Sequence, residues 1–410
     1  MPPTGVNVHN MKWFALLLCI SFKLPAQTWV RISDFPSTKR DDGIAVCVDD
    51  KIFFGTGLQE GWTATIDFRV LNTSSNTWSV IPDLPHTRER QYACAFTGSN
   101  CFYVFGGYGV GGVLNDLWKY DIGTSSWSAM SSKPGGGVAA AICLQFGNKV
   151  IIVSGECGNH YNREVWEYNI TSDTWVQKNS IAWMPRRRAG GAVLGGYGYM
   201  ACGIDSLYHF NKEIYRYDPV TDTWLKLPDI PLSSGRGYAS LQAASGKLVL
   251  FGGYDSSNVY YNDLWFYKPG TGIWGPENAM PSFGRKGGMS AVVNNVFYYS
   301  CGIDATNTRL TETWMLDVPL GLSSNVPFFD NIRVSPCPAS ESLKIEWSRA
   351  VNYEPVLFRI TNSAGAECLS INTTTDRDIN VPLNELTNGI YQLSIEVNDH
   401  RITKRIVVMH

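Results

Sequence analysis

The chain has no excess of either charge: 34 Lys and Arg stand against 36 Asp and Glu, a formal net charge of -2 over 410 residues. A surface that holds nucleic-acid phosphates needs concentrated basic charge, so no nucleic-acid partner is expected. Beyond the N-terminus no apolar run approaches the roughly 20 residues of a membrane helix, so no membrane span is expected. Histidine is scarce at 6 residues, and no Cys-x-x-Cys or Cys/His spacing suggests a metal site. His86, His160 and His209 fall in different segments and share no ligand spacing. G-x-S-x-G, Walker and Rossmann arrangements are missing from any usable context. Helical periodicity is missing too. No metal or cofactor is implied.

What is present begins at the N-terminus. "MKWFALLLCISFKLPAQ" places Lys12 before an apolar run from Trp13 to Phe22, with Ala26 as a small residue before a cut. This reads as a secretory signal over residues 1–26, with Met11 as the expected start. Of 10 cysteines, Cys19 would leave with the signal, and the remaining odd number cannot all pair internally. Cys47, Cys94 and Cys143 stand in apolar segments and read as buried thiols acting as small hydrophobes.

A repeat governs the next three hundred residues. Trp29, Trp78, Trp127, Trp175, Trp224 and Trp274 are spaced by 49, 49, 48, 49 and 50 residues. A glycine mark keeps the same beat at Gly57, Gly107, Gly155, Gly203, Gly253 and Gly302. Each cycle holds a small-residue apolar run, a β-rich run ending in the glycine mark, a variable loop, and a Tyr strand turning into a Trp strand. Four short strands per cycle of about 50 residues describe the blade of a β-propeller. The glycines permit a tight backbone, and Tyr and Trp fill the space between blades.

The double glycine after a β run, followed by Tyr and Trp at fixed separation, resembles the kelch family over about Thr28–Leu320. The resemblance implies an all-β fold, a six-bladed kelch β-propeller over residues 27–320. Ser154, Cys202 and Cys301 depart from the first glycine, and Leu71 replaces the Tyr of the first cycle. In the sixth cycle, Ser323 stands where the Trp should follow Leu316. The missing outer strand is expected from the other end of the chain, at Thr28–Ile32, closing the ring and removing its edges.

After residues 321–327, read as a linker, residues 328–410 alternate in β fashion ("SLKIEW", "LFRITN", "YQLSIEV") and suggest a small immunoglobulin-like β-sandwich. "VSPCPASESLKIEW" and the basic ending "TKRIVVMH" resemble the C-terminal sorting domain of the Bacteroidetes type IX secretion system. Cys337 sits where that family usually has Asn. The resemblance implies a partnership with the type IX machinery and a secreted, extracellular or outer-surface location.

In a four-stranded blade, the loop leading into the innermost strand and the loop between strands two and three open on one face. The first set carries Arg40, Arg88, Arg90, Arg186, Arg187, Arg188, Arg236 and Arg285. The second carries Glu60, Glu156, Asp205, Asp255 and Asp304, with Tyr108, Tyr161, Tyr208 and Tyr254 nearby. Guanidinium forks suit carboxylates, and aromatic rings suit sugar faces or peptide side chains. Two readings of the charges stand: a ligand site at the channel mouth, or inter-blade ion pairs that hold the ring. The functional expectation is a secreted propeller that binds a glycan or protein ligand. The alternative is a sugar mutarotase, by architectural resemblance to exported six-bladed kelch proteins that mutarotate N-acetylneuraminate. Copper-radical oxidase chemistry is disfavoured, since no Cys–Tyr pair with paired histidines maps onto the chain.

Overall fold

A computed structural model describes residues 28–158, 160–318, 332–336, 338–347, 355–362, 366–374, 379–397 and 400–410. The expected signal segment and linker lie outside these residues, as do Ser323 and Cys337. Among the described residues there is no α-helix, only one 3-10 turn at Glu60–Trp62.

The repeats appear as six separate antiparallel four-stranded sheets, the first five ordered by simple meander. The first comprises Ile44–Val48, Lys51–Gly55, Phe68–Asn72 and Thr77–Ile81. The innermost strands of the next four are Cys94–Gly98, Ile142–Phe146, Gly190–Leu194 and Ser240–Ala244. The sixth starts at Met289–Val293 and takes its outermost strand, Trp29–Ile32, from the other end of the chain. Trp29 pairs with Leu316 in the same position that Trp175 takes opposite Tyr168 and Trp224 opposite Tyr217. The innermost strands touch in cyclic order, and the sixth returns to the first. No hydrogen-bonded sheet runs around the circle; the sheets close it by packing face against face.

Aromatic side chains make that packing. Tyr168 is fully buried and meets Phe96 and Tyr103 of the preceding sheet at 5.7 and 6.2 Å between ring centroids. Its hydroxyl donates to Asp173 and thereby closes its own hairpin turn. Trp175 packs on Phe105 of the preceding sheet at 5.0 Å, and its indole N–H donates to Ser131 O. Trp29 does the same work at the ring closure, lying 5.3 Å from Phe251. Burying such rings removes a large apolar area from water, and that is the main term holding sheet to sheet.

The two glycine marks differ in backbone. The second position has φ between 86° and 100° in all six cycles, and in the fifth a Cβ on Gly253 would lie 2.7 Å from Gly237 O. Only glycine fits there. The first position has φ between 55° and 66°, ordinary left-handed backbone, which explains why Thr56, Ser154, Cys202 and Cys301 are admitted.

The tail unit holds two sheets. One contains Ile332–Ser335, Ser342–Trp347 and Ile379–Pro382; the other contains Glu367–Thr374, Pro355–Thr361, Gly389–Val397 and His400–Val408. Leu343, Ile345 and Val381 of the first share one core with Val356, Phe358 and Leu393 of the second.

Candidate functional site

The short strand leading into each inner strand pairs with the start of the loop between strands two and three, as Arg186–Arg187 does with Ile204–Asp205. Both loop sets therefore share one face of the ring. The structure turns five of the expected arginines away from a ligand role, however. Arg40, Arg90, Arg186, Arg236 and Arg285 are between 0% and 2% exposed. Each donates to the carbonyl sixteen residues on: Thr56, Gly106, Cys202, Gly252 and Cys301. Each also grips one carboxylate at the start of the third strand: Asp67, Asp116, Glu213, Asp263 and Glu312. The third sheet uses Lys133 with Glu164 instead. Repetition at constant offset marks these pairs as parts of the wall. Arg88, 42% exposed in its side chain, lies 3.6 Å from the Asp116 carboxylate on the outside of that wall.

Asp205, Asp255 and Asp304 are also structural. Each accepts two backbone N–H groups of its own loop, as Asp205 does from Leu207 and His209. Burial pushes these carboxyls up, but the donors outweigh it and hold all three below the ordinary range. Glu156 pairs with Arg187 at 2.6 Å.

The unrepeated chemistry lies two residues beyond each wall arginine, and at Ala140 in the third cycle. Asp42, Tyr92, Ala140, Arg188, Tyr238 and Gly287 form a collar, all in left-handed backbone with φ between 51° and 66°. Five backbone bonds run around it: Asp42 N to Gly287 O, Tyr92 N to Asp42 O, Ala140 N to Tyr92 O, Arg188 N to Ala140 O and Tyr238 N to Arg188 O. The next residue is always small (Gly43, Ala93, Ala141, Ala189, Ala239, Gly288), which lets six strands converge around a cavity of about 250 Å³. Of the collar, the sequence reading had singled out only Arg188. The signal for the others lies in the sequence, because this position varies while the residue two before it is arginine in five of the six cycles.

Arg188 is clamped between two rings, its guanidinium 4.6 Å from Tyr92 and 4.7 Å from Tyr238, whose hydroxyls lie 3.1 Å apart. Its Nε is buried without a partner, and no carboxylate pairs with it among the described residues. Lys286 reaches the far side of Tyr238 at 5.3 Å and lies over Tyr254 at 4.1 Å. Burial opposes the Arg188 charge, but Tyr238, Tyr92, Glu156 and Asp42 together hold its pKa above the usual arginine value. Burial, then the charge of Asp41, drives Asp42 far above the carboxylate range against the pull of Tyr92 and Arg188. Asp42 Oδ1 is buried and unpartnered. The mouth thus combines two cations, neither paired with a carboxylate among the described residues, with a carboxyl group that tends to keep its proton.

A family profile described as the KLHDC2/KLHL20/DRC7 Kelch-repeats domain matches residues 44–233. The chain carries a kelch-repeat domain. A second profile, the secretion system C-terminal sorting domain, matches residues 333–409. The kelch segment is similar to N-acetylneuraminate epimerase of Yersinia enterocolitica, 27% identical over 176 residues, 41% of this chain and 43% of that protein. It is also similar to Kelch-like protein terF of Aspergillus terreus, 25% identical over 185 residues, 40% of this chain and 38% of the relative. Human Kelch domain-containing protein 10 is 25% identical over 187 residues, 42% of this chain and 39% of the relative. These matches span less than half of each relative. The solved structure of YjhT superposes with a TM-score of 0.62 at 18% identity, covering 69% of this chain and 95% of that one, which establishes a kelch propeller fold. The sorting domain points to secretion or the cell surface and implies the secretion machinery as a partner.

Proposed function

We propose that this is an exported kelch propeller that binds a small carboxylate-bearing ligand, such as an acidic sugar, at the collar. One observation carries the reading: Arg188 is half-buried and clamped by tyrosines, yet among the described residues it has no carboxylate like the one each wall arginine grips. A half-buried cation without an anion is costly, and a ligand carboxylate would supply the partner. The cavity of about 250 Å³ suits one sugar-sized group. Calorimetric titration with N-acetylneuraminic acid and glucuronic acid tests the reading. Binding of at least one acid, lost in Arg188→Ala, is expected; binding of neither, or an unchanged affinity in the variant, overturns it.

A second reading, mutarotation of such a sugar, is favoured by the proton-holding Asp42 carboxyl beside Tyr92 and Arg188. A carboxyl that holds its proton beside the ring oxygen suits proton donation during ring opening. Anomeric equilibration of N-acetylneuraminic acid followed by NMR decides it. Acceleration that disappears in Asp42→Asn supports catalysis, and a rate equal to that of buffer leaves binding alone.

A further inference from the structure

Outside the cavity, the same face carries two large exposed rings, Trp62 at 76% and Tyr208 at 69%. Each lies over a guanidinium: Trp62 over Arg309 at 5.1 Å, and Tyr208 over Arg187 at 5.6 Å. Both guanidiniums are already neutralised, Arg309 by Asp41 and Arg187 by Glu156, each at 2.6 Å. Asp41 and Arg187 immediately precede the collar residues Asp42 and Arg188. Tyr208 is therefore one contact from a neighbour of the collar, and Trp62 two. Trp62 belongs to the first sheet's loop and Tyr208 to the fourth's, which stand opposite each other in the cyclic order.

The centre and the rim differ in what they would recognise. The centre has cations without partners in a space for one small group. The rim has flat rings whose supporting charges are cancelled, with the outward faces in water. A ring in that state favours a neutral partner with an apolar face, which the C–H face of a pyranose provides. Resting on the acidic-sugar reading above, we propose that Trp62 and Tyr208 form flanking subsites for uncharged sugar units. The natural ligand is then an acidic unit within a glycan chain, with neutral units on either side, rather than a free monosaccharide.

The test is calorimetric titration of the full exported chain with N-acetylneuraminic acid and glucuronic acid. Each is supplied free and as the central unit of a trisaccharide whose outer sugars are neutral, beside a decapeptide ending in a free carboxylate. The trisaccharide of whichever acid binds should be about tenfold tighter than the free sugar. Trp62→Ala and Tyr208→Ala should erase that advantage while leaving the free-sugar affinity within about twofold, and Trp62→Phe should restore part of it. Arg188→Ala should weaken both ligands equally. Equal affinity of free sugar and trisaccharide overturns the rim subsites while the acid site stands. So does a rim substitution that weakens the free sugar as much as the trisaccharide. A peptide that binds more tightly than every sugar overturns the glycan assignment, and failure of every ligand to bind overturns the acid site as well.

Discussion

Arginine appears here in two roles that sequence spacing alone does not separate. The wall arginines recur with a carbonyl at a fixed offset of sixteen and a carboxylate 26 or 27 residues on. Arg188 recurs nowhere. For Arg236→Leu, the Asp263 carboxylate is left beside an apolar chain, costing about 2–4 kcal/mol after allowance for its partial exposure. Urea unfolding should show that loss while ligand affinity in the folded fraction is unchanged. Acid reads the same pairs. Burial pushes Glu312 up, but bonds from Ser282, Arg285 and Trp314 outweigh it and bring its pKa from 4.5 to about 2. Because the folded value is depressed, its contribution is complete above about pH 4.5 and is lost as pH falls toward 2. The melting temperature of the wild type should drop across that interval, and Glu312→Gln should start lower and lose less there.

Strands, hairpins and glycine marks were the most legible elements, because a 49-residue beat repeats every local signal six times. The two glycine positions were not distinguishable from letters alone: Cys202 and Cys301 look like weak matches until φ is known. At Gly203 the backbone has φ 95° and a Cβ would lie 2.8 Å from that of Ala189. Gly203→Ala should therefore cost at least about 2 kcal/mol, and the strain at Cys202→Gly should be negligible, leaving only the lost thiol packing. Thermal melts of the two variants make the comparison. The closing strand was legible for a different reason, since the sixth cycle lacked a Trp and the N-terminus had a spare one. Trp29 is 8% exposed, and its indole N–H donates to Asn278 O. Trp29→Ala should cost about 3–5 kcal/mol in urea unfolding. A loss below about 1 kcal/mol would mean that the closing strand contributes little.

For the whole molecule, the repeat announced the architecture and concealed the site. The periodic charges of this chain serve the ring, so the collar proposed as the ligand site lies where the period breaks. Arg188 was noticed because it ended a run of three arginines. Asp42, Tyr92, Tyr238 and Lys286 were missed because each looks unremarkable until six loops are superposed on one axis. Glu156, Asp205, Asp255 and Asp304 share the collar's face, as the spacing predicts, but spacing does not give side-chain direction. The sorting domain makes a separate prediction. In a host that possesses the matching secretion machinery, a chain ending at residue 320 should stay inside the cell envelope, and the full chain should reach the medium or the surface. Cell fractionation and immunoblotting read the difference, and equal export of both would remove the sorting role.

Trp29 and Leu316 are neighbours in one sheet although 287 residues separate them along the chain. The strand Trp29–Ile32 leaves the ribosome before all six repeats and is thus the last part of the ring to be satisfied. Until the sixth repeat exists, the first five form an arc with two raw ends, each able to recruit a strand from another molecule. The period before closure is when the chain is most open to misassembly. Any carrier that holds it extended until Leu316 has emerged would protect it from its own copies.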